Sequence, residues 1–550
     1  MPQAAPEQDH ASVQPFVVLG RALAFGLFPA ALLPPVALPW SESDTLYPIC
    51  LYVLLTLAPG MACGSNRNGR SWFFGWPVWL FLAALLTLQA LAMHASVMHW
   101  ELRQVDAVGT YGGLLKEVAM LLWYALGVKL LCNVPGAVVW LARGAVFSLL
   151  LLLGVCCLQL AWLLTGPEFL AWLGQGIILP ALPGSAGRAV AALNEYLAPI
   201  LSTIGSWLEA RCPLHPDPVY ENGAYTLTVL RINGVFSTAS DLAVILATAY
   251  APLILAGLAT AGAWGRRLYI LLAAAMIVAL IGGRCLTAFA ACLFLLAWLG
   301  RRILWAPGRR VRALLLMLLV AGLSVGALYH DPASRRLAAR VCEPGAVPLP
   351  EETVAREIWT LVQERPWTGV GYGWSSIYVV HGRQYAAILQ AEEIQELLTW
   401  QEDVRTVPTP SLGLEFLAVF GIPLALAVAV SFFWLWLRLR RLARQNEADP
   451  ERRFALAAAV PYLSAVAVFV QGDVDWTHPL LLLPCFSLWA VAGVWERAAR
   501  GSAPGPAADA SKGTRPASGG KKFAVPSVTK KGETRISDSA SRPFTLSGGG

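Results

Sequence analysis

Charge is what this chain has least of. Only 14% of its 550 residues are Asp, Glu, Lys or Arg, against roughly 25% in a soluble protein. That is too little charge to keep a surface of this size in water. Histidine is also sparse, with seven in the whole chain. No cluster of His, Cys, Asp and Glu has metal-ligand spacing, so neither a metal nor an organic cofactor is expected. A basic surface is missing too. The formal charge is +7, but residues 501–550 hold eight basic groups and three acids, so +5 of the total lies in this last segment. The other 500 residues are nearly balanced, which excludes a nucleic-acid groove. A basic n-region ahead of the first apolar run is absent, so residues 15–39 read as a first membrane span and not as a cleaved leader.

What is abundant is apolar sequence: 57% of residues are hydrophobic. It is arranged in runs long enough to cross about 30 Å of hydrocarbon at about 1.5 Å per residue. The expectation is an all-α, polytopic helical membrane protein with about twelve transmembrane helices. Their expected positions are 15–39, 46–63, 71–93, 113–133, 144–165, 240–263, 268–282, 284–300, 311–329, 411–437, 454–471 and 479–497. Basic connections orient them. Arg67 with Arg70, Arg143, Arg266 with Arg267, Arg301 to Arg312, and Arg438 to Arg453 all fall on one side, which is taken as cytoplasmic and holds both termini.

The organisation follows: five spans over 1–165, a large outer loop over 166–239, spans six to nine over 240–329, a second outer loop over 330–410, three spans over 411–498, and a basic cytoplasmic tail over 499–550. The second loop has seven arginines and eleven acids. Amphipathic stretches at 188–208 and 351–362 predict short helices within the loops. The tail is rich in Gly, Ser, Ala and Pro and lacks the apolar surface to fold; its basic groups suit an anionic leaflet. Six histidines (His94, His99, His215, His330, His381, His478) fall on the outer side. Either polar residues simply collect in loops, or proton-transfer chemistry faces outward. An oxidising compartment would allow Cys212 and Cys342 to join the two outer loops.

Five segments carry chemical interest. Arg284 sits in ALIGGRCLTAF, between spans seven and eight with almost no loop around it. A charge at bilayer depth costs about 2.5–3.5 kcal/mol on insertion scales. It either snorkels to the interface or binds an anion such as a diphosphate, whose oxygens match a guanidinium. In LRINGVFSTASDLAVIL, Arg231, Gly234 and Phe236 lead into span six, where Ser240 or Asp241 can cap the helix. In AREIWTLVQERPWTGVGYGWSSI, Arg356 and Trp359 share a helix face ahead of Gly369, Gly371 and Gly373. No strand precedes these glycines, so a tight turn against the membrane domain is expected in place of a nucleotide loop. TPSLGLEFLAVFGIPLALAV opens span ten, and VQGDVDWTHPLLLLPCF places Asp473, Asp475 and His478 between the last two spans.

In order and content these segments, over about residues 225–497, resemble the O-antigen ligase/O-antigen polymerase superfamily, which includes protein O-oligosaccharyltransferases that act on pilin. The resemblance rests on the arginine hairpin, the Arg-x-x-Gly-x-Phe entry, the Arg-x-x-Trp helix with Pro-x-x-Gly-Val-Gly, the entry to span ten, and the last hairpin with its acid and proline. Three positions depart from the family pattern. Pro410 stands where the family has a histidine, Val419 where a glutamate is common, and Gly283 where a serine precedes the hairpin arginine.

The resemblance implies an enzyme of the bacterial inner membrane, with its two long loops in the periplasm. It would transfer a glycan from undecaprenyl diphosphate to a hydroxyl of lipid A-core, another glycan or a protein, with membrane lipids as surroundings. The departing diphosphate needs cationic stabilisation, for which Arg284, Arg231 and Arg356 are candidates. The acceptor needs a base, for which His381, His478 and Asp475 are candidates. A polymerase and a non-catalytic envelope or export subunit remain as alternatives. A transporter is disfavoured, because intramembrane charge is scarce and no repeated halves are visible.

Overall fold

The computed structural model describes residues 10–32, 46–65, 74–100, 107–165, 214–221, 224–236, 238–304, 350–374, 411–445, 450–469 and 478–501, with isolated positions at 318, 322, 325 and 326. The described residues up to 498 belong to one compact unit.

Continuous apolar sequence without helix-breaking clusters produces twelve helices among the described residues. They are α1 (His10–Leu32), α2 (Leu46–Ser65), α3 (Trp76–Trp100), α4 (Ala107–Leu131), α5 (Ala137–Thr165), α6 (Ala239–Thr260), α7 (Ala263–Gly283), α8 (Leu286–Leu304), α9 (Pro350–Glu364), α10 (Leu412–Gln445), α11 (Pro450–Phe469) and α12 (Pro479–Gly501). Seven of them contain stretches long and apolar enough to cross a membrane: those of α1, α3, α5, α6, α7, α10 and α12. The fold is that of a helical membrane protein. Each expected span coincides with a helix except the ninth, at 311–329, which lies outside the described residues save for isolated positions. The amphipathic stretch at 351–362 is helical, as α9, and the one at 188–208 is outside the described residues.

The described residues are mostly helical, as expected, with one small β element beside the helices. Strands β1 (His215–Glu221) and β2 (Ala224–Arg231) form an antiparallel hairpin that pairs His215 with Arg231. The run YTLTVLR alternates Tyr225, Leu227 and Val229 with Thr226 and Thr228, a period-two, β-branched-rich strand pattern. It ends directly at Arg231, so the hairpin delivers that residue to the membrane domain.

Helix α6 lies at the centre of the largest core and is the most buried of the seven candidate spans. Thr238, not Ser240, is its N-cap. The Thr238 hydroxyl accepts from Asp241 N–H (3.0 Å), and the Asp241 carboxylate accepts from Thr238 N–H (3.2 Å), a reciprocal capping box. The helix widens into a π turn at Leu246–Tyr250, where the Tyr250 and Ser148 hydroxyls bond at 2.7 Å. Helices α1 and α5 pack closely because Gly144 leaves no side chain between them: a Cβ there would stand 1.9 Å from the Phe25 carbonyl oxygen. Small residues permit this approach in membrane helices. Gly144→Ala is therefore expected to force the two backbones apart and to cost about 1–3 kcal/mol as overpacking. A lowered thermal midpoint of the purified protein is the readout.

Arginines at helix ends fold over indoles. Arg143 lies over Trp140 (4.7 Å to the ring centre), Arg267 over Trp264 (5.0 Å), Arg301 over Trp298 (5.3 Å) and Arg440 over Trp436 (5.4 Å). Each pair spans three or four residues of one helix. The arrangement suits a snorkelling cation above an interfacial ring. Arg438 lies over Trp434 (5.2 Å) and also makes a bidentate ion pair with Glu496, tying α10 to α12.

Candidate functional site

The α7–α8 connection is as short as its sequence suggests. Gly282 and Gly283 end α7, Arg284 turns the chain, and α8 begins at Leu286. Arg284 adopts φ 47°, ψ 35°, the left-handed conformation, and it is the only non-glycine residue with positive φ among those described. A helix C-terminus commonly uses glycine at such a site. A side chain there costs roughly 1–2 kcal/mol, so the half-buried arginine holds this conformation against local strain.

The segment after β2 lies against this turn. The Ile232 N–H donates to the Gly282 carbonyl (3.4 Å), and Arg231 Nη1 donates to the Arg284 carbonyl (2.6 Å). The approach is close: a Cβ on Gly282 would stand 2.2 Å from Ile232 Cδ1, so the Ile232 side chain would have to shift. Arg231 is only 5% exposed. The loop is clamped from α5 by Gln159, a residue the sequence reading passed over. Gln159 Oε1 accepts from Gly234 N–H (2.7 Å), and Gln159 Nε2 donates to Asn233 Oδ1 and the Gly234 carbonyl (both 2.9 Å). Gly234, with φ 65°, makes the turn.

His478 joins the same neighbourhood. Its ring lies 5.6 Å from that of Phe236, centre to centre, and its Nδ1 accepts from Leu480 N–H (3.2 Å) at the start of α12. An Nδ1 that accepts places the proton of the neutral ring on Nε2. This arrangement makes His478 a hydrogen-bond donor and weakens its case as a base. Arg231, Arg284 and His478 are thus gathered around one loop.

Arg356 belongs to a different part of the fold. It is exposed on α9, whose opposite face, with Ile358, Leu361 and Val362, is buried where α9 packs on α10. The glycine turn beyond α9 docks onto a break in α10 at Gly421 (φ 76°, ψ 166°). Three backbone bonds join them: Val370 N–H to Ala418 O (2.8 Å), Gly371 N–H to Val419 O (3.2 Å) and Ile422 N–H to Pro366 O (2.8 Å). Polar side chains of α3 and α4 complete the junction. Gln89 Nε2 donates to Val419 O (3.1 Å), and Gln89 Oε1 accepts from Tyr372 N–H (2.9 Å). Ser96 donates to Val370 O (2.6 Å), and the Tyr372 hydroxyl donates to Glu117. Gln89, Ser96 and Glu117 are polar residues within largely apolar helices. That signal was available in the sequence, because such residues inside membrane helices are retained for a partner.

His381, Asp473, Asp475 and Pro410 lie outside the described residues, as do Cys212 and Cys342. Ser411, next to Pro410, is buried and caps α10, accepting from Leu414 N–H (3.3 Å). Among the described residues no group of three or more His, Cys, Asp or Glu could hold a metal ion. No family model matches the sequence, and no curated protein matches it.

Proposed function

We propose that this protein is a membrane glycan transferase that moves a saccharide from a polyprenyl-diphosphate carrier to an acceptor hydroxyl. The supporting observation is the Arg231–Arg284 pair. A buried guanidinium is bonded to the main chain of a second arginine, and that arginine holds a left-handed conformation at a helix turn. Two cations at the edge of a water-poor helix bundle suit a diphosphate, whose charge grows as the glycosyl C1–O bond breaks. The Phe236–His478 contact brings in a ring whose Nε2 suits donation to the departing oxygen. The acceptor proton then needs another base, and Asp475 and His381 are the candidates for it. Arg356, on its separate helix, is assigned to the saccharide rather than to the diphosphate.

The resemblance to the O-antigen ligase/polymerase superfamily supports the same reading, with the inner membrane as location, twelve spans, both termini in the cytoplasm and the site facing the periplasm. Deletion in the native host is the test. Loss or shortening of lipopolysaccharide ladders, capsule or glycoprotein glycans is expected, with accumulation of lipid-linked saccharide. Uniformly shortened chains would select the polymerase, and loss of whole chains from the acceptor the ligase. An unchanged glycan profile and an unchanged lipid-linked pool would refute the transferase.

A further inference from the structure

The outward face of α9 surrounds Arg356 with an aromatic and polar surface. Arg356, Trp359, Thr360, Gln363, Glu364 and Trp367 are all exposed. The first five, at spacings of three, four, seven and eight residues, lie on one side of α9. Beyond Glu364 the chain enters a turn, in which Arg365 N–H donates to Leu361 O (3.0 Å) and Gly369 N–H to Arg365 O (3.1 Å). Trp367 lies in this turn, directly after the helix. The two indoles are 48% and 73% exposed.

We propose that this face is a saccharide-binding platform, with Trp359 and Trp367 as stacking surfaces and Arg356, Gln363 and Glu364 as partners for hydroxyl groups. It deepens the transferase reading and rests on it for the origin of the saccharide. A pyranose has an apolar C–H face and a rim of hydroxyls, so it needs a flat ring flanked by planar donors and acceptors. Tryptophan supplies such a surface with one apolar face and few rotatable bonds. A guanidinium, an amide and a carboxylate supply both hydrogen-bonding senses. Lipid is the competing occupant, and the helix argues against it. An interfacial helix turns its apolar face to lipid, whereas here the apolar face, with Ile358, Leu361 and Val362, packs on α10. A nucleic-acid strand would need a basic groove around the rings, and this face carries one arginine and one glutamate.

The experiment uses the full chain in nanodiscs. The probe is the oligosaccharide released by mild acid from the host's lipid-linked pool, with binding read by calorimetry. Trp359→Ala with Trp367→Ala is expected to weaken binding at least tenfold, and the corresponding double phenylalanine variant to retain most of it. The thermal midpoint should stay unchanged, since both rings are exposed. Arg284→Gly should bind the oligosaccharide as the native chain does, so binding is read independently of transfer and survives if no transferase activity is found. Three results would overturn the platform: no binding to the native chain, native affinity in the double alanine variant, or brominated-lipid quenching that falls in the double phenylalanine variant. The last would place the rings in lipid.

Discussion

Arg284→Gly is expected to make the protein more stable and nearly inactive. These two effects normally move together when a mutation damages a fold, so their separation is diagnostic. Glycine adopts φ 47° without the steric conflict between Cβ and carbonyl that an arginine meets. The substitution leaves the Arg284 carbonyl in place, so the bond from Arg231 Nη1 persists. The C-cap of α7 and the approach of Ile232 to Gly282 are backbone features and persist as well. Stability should therefore rise by about 1 kcal/mol, the strain relieved. The protein unfolds from a membrane, where reversibility is rare, so the proper measure is the half-life of the folded form at elevated temperature.

Transfer should fall by about 10²–10³, the usual loss when one preorganised charge-stabilising group is removed from a low-dielectric site. Arg284→Lys gives the complementary result. It keeps the strain and the charge but loses the planar fork, so it should be no more stable than the native chain and only partly active. Full activity in Arg284→Gly would remove Arg284 from the diphosphate role. A loss of stability in the same variant would show that the arginine is structural. The conformation would then be a consequence of packing around the guanidinium.

Most helices were legible because a membrane helix announces itself by length and apolarity, and neither depends on partners. The arginine hairpin was legible for a related reason: a lone cation between two apolar runs must either snorkel to the interface or meet an anion. Partnerships were not legible. Gln159, Gln89 and Glu117 each look like a tolerated polar residue in a helix. Their meaning comes from what they clamp: the loop at Asn233–Gly234, the carbonyl of Val419 and the hydroxyl of Tyr372. Those contacts join residues 74 to 330 positions apart in the chain, and hydrophobic periodicity carries no information over such distances. The π turn at Leu246–Tyr250 was hidden because one extra residue per turn leaves composition unchanged. The β-hairpin was overlooked because the loop was read for amphipathic helices, although its period-two alternation was there to see. His478 reads from sequence as a candidate base, but its role depends on which ring nitrogen meets a backbone N–H, and only geometry shows that.

Gly421→Ala tests the other junction, and its effect on the fold should be the larger. Span ten contains Gly421 and Pro423, which from sequence alone read as ordinary residues of a long membrane helix. In the structure Gly421 has φ 76° and ψ 166°, a region essentially confined to glycine. The break exposes backbone that α10 can no longer satisfy, and the glycine turn at 366–371 supplies the partners. A Cβ on Gly421 would stand 2.7 Å from the Trp367 carbonyl oxygen and 2.9 Å from the Gly369 nitrogen. Both are backbone atoms, so no side chain can rotate away. Nor can the turn yield on its own side, because Gly369 approaches the Val419 carbonyl so closely that a Cβ there would stand 2.4 Å from it. Strain of about 1–3 kcal/mol and three backbone bonds of about 0.5–1.5 kcal/mol each together predict a loss of roughly 3 kcal/mol or more. The response should be local before it is global: the turn undocks while α10 closes into a continuous helix. Hydrogen exchange reads this directly. The amides of Val370, Gly371 and Ile422, bonded in the native chain, should lose protection in Gly421→Ala. Gly112→Ala is the control, since a Cβ there meets nothing within 4 Å and should leave exchange unchanged. Protection retained at Val370 and Gly371 in the Gly421 variant would mean that the turn is held by Gln89, Ser96 and Tyr372 alone. The helix break would then be a result of docking, and α10 would have no intrinsic need of it.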